Sequence, residues 1–96
     1  REAGAVIYVD AVHYAPHALL DVDTLGADFV AVSPYKFYGP HLGALWGRKE
    51  RLETLQLPRV ASAPDHAPDR VETGTLQFEA LAGATAAIEF LASLAD

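Results

Sequence analysis

The sequence has 96 residues, of which 51% are hydrophobic and 21% are charged, and its formal net charge is −6 at pH 7. This composition is typical of one small globular domain and excludes collagen-like and disordered chains. The seven lysine and arginine residues are scattered and outnumbered by thirteen acidic residues, which argues against nucleic-acid binding, and the absence of cysteine excludes disulfides and thiolate metal sites within the chain.

The sequence carries no sign of membrane insertion or secretion. Its apolar runs are shorter than the roughly 20 residues that a membrane-spanning helix needs, and its start lacks the charged and apolar regions of a signal peptide. We therefore expect no membrane partner and a cytoplasmic location. The chain opens on Arg1 and enters a strand pattern at once, so we expect residues 1–96 to be one partial domain of a longer protein.

The first third of the sequence predicts a β-α-β unit. Residues 5–10 (AVIYVD) and residues 28–33 (DFVAVS) are β-branched and aromatic runs that predict two buried strands. Between them, Asp21 as the N-cap and Gly26 as the stop predict a short helix. The connection over residues 11–27 exceeds the dozen or so residues that a parallel crossover needs, so the two strands can be parallel neighbours.

A third strand and two helices are predicted downstream. Residues 42–48 (LGALWGR) predict the strand, and residues 34–41 are too few for a parallel crossover, so this strand should be antiparallel. Residues 49–57 predict a helical turn or two, and the Pro- and Ala-rich residues 58–75 predict an irregular segment. The i, i+3, i+4 spacing of apolar side chains predicts a long helix over residues 76–96. One long helix cannot cover both faces of a parallel pair, so we expect a further covering element, from a larger domain or another copy.

Polar residues at the predicted strand ends suggest a functional site. Asp10 ends the first strand, Ser33 ends the second, and Lys36 follows three residues later. Ligands of open α/β sheets bind at the carboxyl ends of parallel strands, which places Asp10 and Lys36 at one rim. Two interpretations are open. Either the two side chains form a salt bridge at the sheet edge, or the flanking apolar strands desolvate the lysine and favour a nucleophilic amine.

Three motifs in combination resemble a known family. They are Asp-x-x-His over residues 10–13, Ser-x-x-Lys-x-x-Gly-Pro over residues 33–40 and Glu-x-Gly-Thr over residues 72–75. Together they resemble the pyridoxal-phosphate (PLP) class V aminotransferase superfamily, and most closely the cysteine desulfurase-like proteins. The resemblance implies an α/β fold: a fragment of the large domain of a fold-type-I PLP enzyme, with two parallel strands, one antiparallel strand and a long C-terminal helix.

The resemblance also implies a role for each polar residue. Lys36 would form a Schiff base with pyridoxal 5′-phosphate and move the proton at the α-carbon of an amino-acid substrate. Asp10 would bind the pyridine nitrogen, and His13 would hydrogen-bond the phenolate oxygen and assist catalysis. Ser33 would bind the phosphate. Thr75, expected at the start of the long helix, resembles the threonine that binds the phosphate of the partner subunit in a homodimer.

Two departures from the desulfurase pattern leave the reaction open. Tyr35 stands where desulfurases commonly have histidine, and His13 stands where they commonly have glutamine. Desulfurase, aminotransferase, epimerase and lyase chemistry therefore all remain candidates. Two non-catalytic alternatives also remain: an inactive isolated fragment held together by self-association, or an unrelated small α/β binding domain.

Several neighbouring residues have structural interpretations. The four histidines match no standard ligand spacing, so we expect no metal site. Tyr35 and Tyr38 flank the lysine and either line the site or pack. Gly39 and Pro40 are expected to shape the turn that directs Lys36.

Overall fold

A computed structural model describes residues 3–58, 64–72 and 74–94 of the chain. The chain divides into two compact units. The first comprises residues 1–46 and 77–96, and it contains the sheet and the longest helix. The second comprises residues 47–76 and contains a short helix and a 3-10 turn.

The first unit is built on a three-stranded mixed sheet with the strand order β1-β2-β3. Strand β1 (Tyr8–Asp10) runs parallel to β2 (Phe29–Val32), and β3 (Ala44–Gly47) is antiparallel. The predicted α/β class and the mixed sheet are thus confirmed. The strands are shorter than predicted, and at β1 the reason is visible. The N–H of Ile7 donates to the Asp28 side chain at 2.9 Å and not to a backbone carbonyl, so the regular ladder begins only at Tyr8.

Helix α1 (Val22–Leu25) forms the crossover between the parallel strands, and its caps confirm the sequence prediction. The Oδ1 atom of Asp21 accepts the N–H groups of Asp23 at 3.0 Å and Thr24 at 3.4 Å. The Oδ2 atom accepts the Thr24 hydroxyl at 3.0 Å. Gly26 ends the helix with a φ of 63°, in the left-handed region that favours glycine.

The Asp21 cap predicts a pH-dependent contribution to stability. The Thr24 hydroxyl and the two backbone N–H groups hold the pKa of Asp21 below its ordinary value of 3.8. A lowered folded-state pKa means that the stabilisation is present above pH 3.8 and is lost as the pH falls through the folded-state pKa. Urea denaturation of the wild-type protein and of Asp21→Asn, above and below pH 3.8, measures this. Asparagine caps without titrating, so the wild type should lose its advantage in acid, and parallel pH profiles would contradict the expectation.

Helix α3 (Phe78–Ser93) is the predicted long helix, and Gln77 is its N-cap residue. Its buried positions are Ala84 and Ala87, so its alanine-rich face lies against the rest of the first unit. The larger apolar side chains behave differently: Phe78 is 65% exposed and Ile88 is 57% exposed. Small side chains let the helix approach the rest of this unit closely, whereas the large ones contact little of it.

Gly83 lies inside α3, where glycine is less favourable than alanine by about 1 kcal/mol. Its surroundings explain the choice. A Cβ atom at this position would lie 3.2 Å from Cγ and 3.3 Å from Cδ of Pro40, closer than ordinary van der Waals contact. Glycine therefore permits the helix to contact the turn that follows β2.

The core of the first unit is small and centres on the parallel strands. Ala11, Ala27 and Val30 form its buried cluster, and Phe29 is also buried, at 9% exposure. Six partly buried apolar side chains pack against this cluster: Ile7, Val9, Leu20, Val22, Val32 and Trp46. Tyr8 in β1 and Leu45 in β3 remain more than half exposed, which accords with the expected uncovered apolar surface.

The second unit consists of helix α2 (Lys49–Thr54) and a 3-10 turn (Asp69–Val71). The buried Arg70 joins them, because its guanidinium donates to the carbonyl of Leu52. The 3-10 turn lies within the segment predicted to be irregular. Residues 59–63 and residue 73 of that segment lie outside the described residues.

Candidate active site

The carboxyl edge of the parallel pair carries the first candidate residue. Asp10 is the last residue of β1 and lies opposite Ala31 of β2, and the N–H of Ala11 donates to the Ala31 carbonyl at 2.9 Å. Because the two strands are parallel, the chain leaves both at the same edge of the sheet. Ser33, which directly follows β2, therefore lies at the same edge of the sheet as Asp10.

The Asp10 carboxylate is exposed and held by its own loop. Its Oδ1 atom accepts the N–H of Val12 at 3.1 Å, a local bond that orients the side chain. Within the described part of the chain, Oδ2 has no hydrogen-bond partner. Oδ1 is thus held by the Val12 N–H, and Oδ2 can accept a hydrogen bond from a ligand.

Residues 33–41, which we name the lysine turn, form most of the connection between β2 and β3. They begin with a 3-10 helix (Pro34–Phe37) where the sequence predicted only a turn. The N–H of Lys36 donates to the Ser33 carbonyl at 2.9 Å, and the N–H of Gly39 donates to the Pro34 carbonyl at 2.7 Å. The Ser33 side chain makes no capping hydrogen bond, so its hydroxyl is not used by the helix that follows it.

The exposure of Lys36 corrects one expectation. One of the two interpretations expected flanking apolar strands to desolvate Lys36, but its side chain is exposed. The reason is that the 3-10 helix carries Lys36 beyond the end of β2. Among residues 3–58, 64–72 and 74–94, no ion pair joins Lys36 to Asp10, so the salt-bridge interpretation also has no support. Any desolvation of the amine has to come from a bound group or from another part of the protein.

His13 lies three residues beyond Asp10, in the tight turn that follows β1. The turn is closed by the N–H of Ala15, which donates to the Ala11 carbonyl at 2.9 Å. The imidazole is exposed. His13 therefore lies in the turn that leaves β1 at the same edge of the sheet as Asp10, where the Asp-x-x-His motif places it.

Thr75 belongs to the second unit, unlike the other four candidates. It is exposed and follows Gly74, whose φ is 80°. Gln77, and not Thr75, is the N-cap residue of α3, so the prediction that Thr75 starts this helix is wrong. The helix begins later because the backbone of Gln77, with φ −84° and ψ 78°, is still outside the helical region.

The two tyrosines beside Lys36 both pack. Tyr35 stacks on His41 with ring centroids 3.8 Å apart and an interplanar angle of 24°. Tyr38 meets Phe90 of α3 edge to face at 5.9 Å and 80°. Both remain accessible, at 53% and 80% exposure. Packing is thus the observed role, and each ring keeps an open surface beside the lysine.

Sequence reasoning missed one structural carboxylate. Asp28 was assigned only as the start of the second strand, but its side chain is fully buried and accepts the Ile7 N–H at 2.9 Å. The available signal was an acidic residue at the first position of an apolar strand run.

The histidines show no metal-site geometry. His41 stacks on Tyr35, and His66 lies 2.7 Å from Asp69. Over the described ranges, no three His, Cys, Asp or Glu residues lie close enough together to hold a metal ion. Over the same ranges, each helix is too short or too polar to cross a bilayer.

Comparisons with known proteins identify relatives of this chain. The family model described as Aminotransferase class-V matches residues 1–95. A probable cysteine desulfurase of Streptomyces coelicolor is 39% identical over 98% of this chain and 25% of its own length. An aminotransferase-like protein of Gibberella zeae is 59% identical over 79% of this chain and 19% of its own length. The crystal structure of a cysteine desulfurase from Escherichia coli superposes with a TM-score of 0.84 at 35% identity, over 98% of this chain and 27% of that one.

Proposed function

Because the chain belongs to the aminotransferase class-V family, we propose that the intact protein is a PLP-dependent enzyme acting on an amino acid through a Schiff base at Lys36. The observation that carries the proposal is the shared carboxyl edge, where Asp10 ends β1 and the Ser33–Lys36 segment leaves β2. The chain spans about a quarter of the length of the probable cysteine desulfurases it matches, at 25% for those of Streptomyces coelicolor, Mycobacterium leprae and Xylella fastidiosa. The activity of the whole protein is therefore part of the proposal.

The side chains at this edge fit the proposed cofactor chemically. Asp10 has a fixed carboxylate with one open oxygen, which suits a protonated ring nitrogen. Ser33 has a hydroxyl that its own helix does not use, which suits a phosphate oxygen. Lys36 supplies a primary amine, the group that an aldehyde requires.

The cofactor, when bound, supplies an electron-withdrawing ring that stabilises negative charge at the substrate α-carbon. The residues of this chain have distinct tasks around it. Asp10 would keep the ring nitrogen protonated through a charge-assisted hydrogen bond. His13 would hydrogen-bond the ring oxygen, and Ser33 would hold the phosphate. The Lys36 amine would serve as the base that takes the proton from the substrate α-carbon and returns it.

The proposed substrate is an amino acid, and its identity sets the reaction type. Desulfurase and aminotransferase chemistry are the leading forms, since relatives of both descriptions match the chain. The two departures, Tyr35 in place of the usual histidine and His13 in place of the usual glutamine, keep epimerase and lyase chemistry among the forms to assay. A cytoplasmic homodimer completes the proposal, with Thr75 of one subunit contributing to the phosphate site of its partner.

Covalent trapping tests the proposal directly, because residues 1–96 contain two lysines, Lys36 and Lys49, whose labelled peptides can be compared. Lys49 is an internal control, since its side chain is 76% exposed and pairs loosely with Glu53 at 3.8 Å. The intact protein is incubated with PLP, reduced with borohydride and digested. We expect a visible absorption band before reduction and the pyridoxyl group on the Lys36 peptide.

The distribution of the label decides the outcome. Equal labelling of Lys36 and Lys49 would indicate nonspecific reaction with exposed amines and would contradict the proposal. The same experiment on the isolated 96-residue chain tests the alternative of an inactive fragment. We propose that this piece retains the cofactor poorly, because large side chains such as Tyr8 and Leu45 leave much of its apolar surface exposed.

A further inference from the structure

The lysine turn is held against α3, and we infer that Gly83 of this helix is a positioning residue that sets the location of Lys36. The inference rests on the proposed function for its catalytic meaning, while the positioning itself concerns the backbone of residues 33–41. Gly83 touches neither the lysine nor the site; it acts through Pro40.

The first contact is between Gly83 and Pro40. A Cβ atom at residue 83 would lie 3.2 Å from Pro40 Cγ, 3.3 Å from Cδ and 3.8 Å from Cβ. Only the two ring carbons are closer than an ordinary contact. The turn and the helix are thus packed so closely that one added methyl group requires one of them to move.

The second contact lies two helical turns further along α3. Phe90 meets the ring of Tyr38 edge to face at a centroid distance of 5.9 Å. Gly83 and Phe90 are seven residues apart and therefore lie on the same helix face. Tyr38 has a φ of 69°, a conformation rare for a bulky residue. Two separate points on α3 thus hold the same turn.

The turn is stiff enough to pass a displacement from Pro40 to Lys36. The N–H of Gly39 donates to the Pro34 carbonyl at 2.7 Å, and a Cβ at Gly39 would lie 2.7 Å from that oxygen. The N–H of Lys36 donates to Ser33 at 2.9 Å. Because residues 34 and 39 are in direct contact, Pro40 cannot shift without moving the 3-10 helix that carries the lysine.

The test uses Gly83→Val, with Ala86→Val as the matched control, in the intact protein. Ala86 is an exposed residue of the same helix, so its valine variant carries the β-branched side chain without meeting the turn. Amide hydrogen exchange at Lys36 and Gly39 reports on the turn without any cofactor. The amide of Ala11, which bonds to Ala31 in the sheet, reports global opening.

We expect exchange at Lys36 and Gly39 to accelerate by about tenfold or more in Gly83→Val, with Ala11 unchanged. The rate at which PLP is trapped on Lys36 with borohydride should fall by on the order of tenfold, because a small displacement of a reacting group lowers its reaction rate strongly. Pro40→Ala removes the two ring carbons closest to residue 83, so Gly83→Val should have a much smaller effect in that background.

Two results would overturn the inference. One is exchange in Gly83→Val that matches Ala86→Val at Lys36 and Gly39. The other is equal acceleration at Ala11, which would reduce Gly83 to a general stability residue. If the wild-type protein is not trapped by PLP, the proposed function fails, but the exchange measurements still decide whether Gly83 positions the turn.

Discussion

Replacement of Lys36 by alanine is expected to abolish covalent retention of PLP and to lower turnover of the amino-acid substrate by at least about a thousandfold. Under the proposed function, the variant loses both the amine that would hold the cofactor and the base that would move the α-proton. Visible absorbance after gel filtration measures retention. Product formation from a panel of L-amino acids, including cysteine, measures turnover.

Folding should be unaffected in this variant, because Lys36 is exposed and its side chain makes no ion pair in the described part of the chain. Lys49→Ala is the matched control, and it should retain both cofactor and turnover. Small primary amines added to Lys36→Ala should restore part of the turnover by replacing the missing base. Full activity without added amine would contradict the role assigned to Lys36.

Replacement of Asp28 by alanine is expected to lower the free energy of unfolding by about 3 kcal/mol. The carboxylate is fully buried and accepts the Ile7 N–H, while the Asp28 N–H donates to the Ile7 carbonyl at 2.9 Å. This reciprocal pair joins β1 to β2 just before the parallel ladder. Alanine leaves a largely buried N–H without its acceptor, which carries the full cost of desolvation.

Urea denaturation of the intact protein measures this loss of unfolding free energy, and two further variants serve as comparisons. Asp28→Asn keeps an acceptor oxygen and should cost about half as much. Asp23→Ala removes an exposed carboxylate from the first turn of α1 and should change stability by less than about 0.5 kcal/mol. An Asp28→Ala variant as stable as Asp23→Ala would show that the buried bond contributes little.

Sequence reasoning succeeded where neighbouring residues decide the structure. The cap of α1 follows from Asp21 and Gly26, which act on backbone groups within a few positions. The mixed sheet follows from the lengths of two connections, since chain reach allows a parallel crossover in one and forbids it in the other. The shared edge of Asp10 and Ser33 is a direct consequence of that topology.

Sequence reasoning failed where distant residues meet. The burial of Asp28 depends on Ile7, and the need for glycine at position 83 depends on Pro40. The i, i+3, i+4 apolar spacing that predicts α3 includes Phe78 and Ile88, which are exposed, whereas the buried residues of this helix are alanines. Periodicity identifies a helix, but which face is covered depends on elements that periodicity does not describe.

The amino-acid sequence alone determined the order of the elements, their connections and the set of polar residues at the end of the parallel strands. Those features depend on hydrogen bonds and chain lengths that are local along the backbone. Only the tertiary structure decided that Lys36 is exposed, that Thr75 lies outside the long helix and that α3 holds the lysine turn. The first two features depend on backbone conformations that composition and periodicity do not specify, and the third depends on the packing of Gly83 against Pro40, which are distant in sequence.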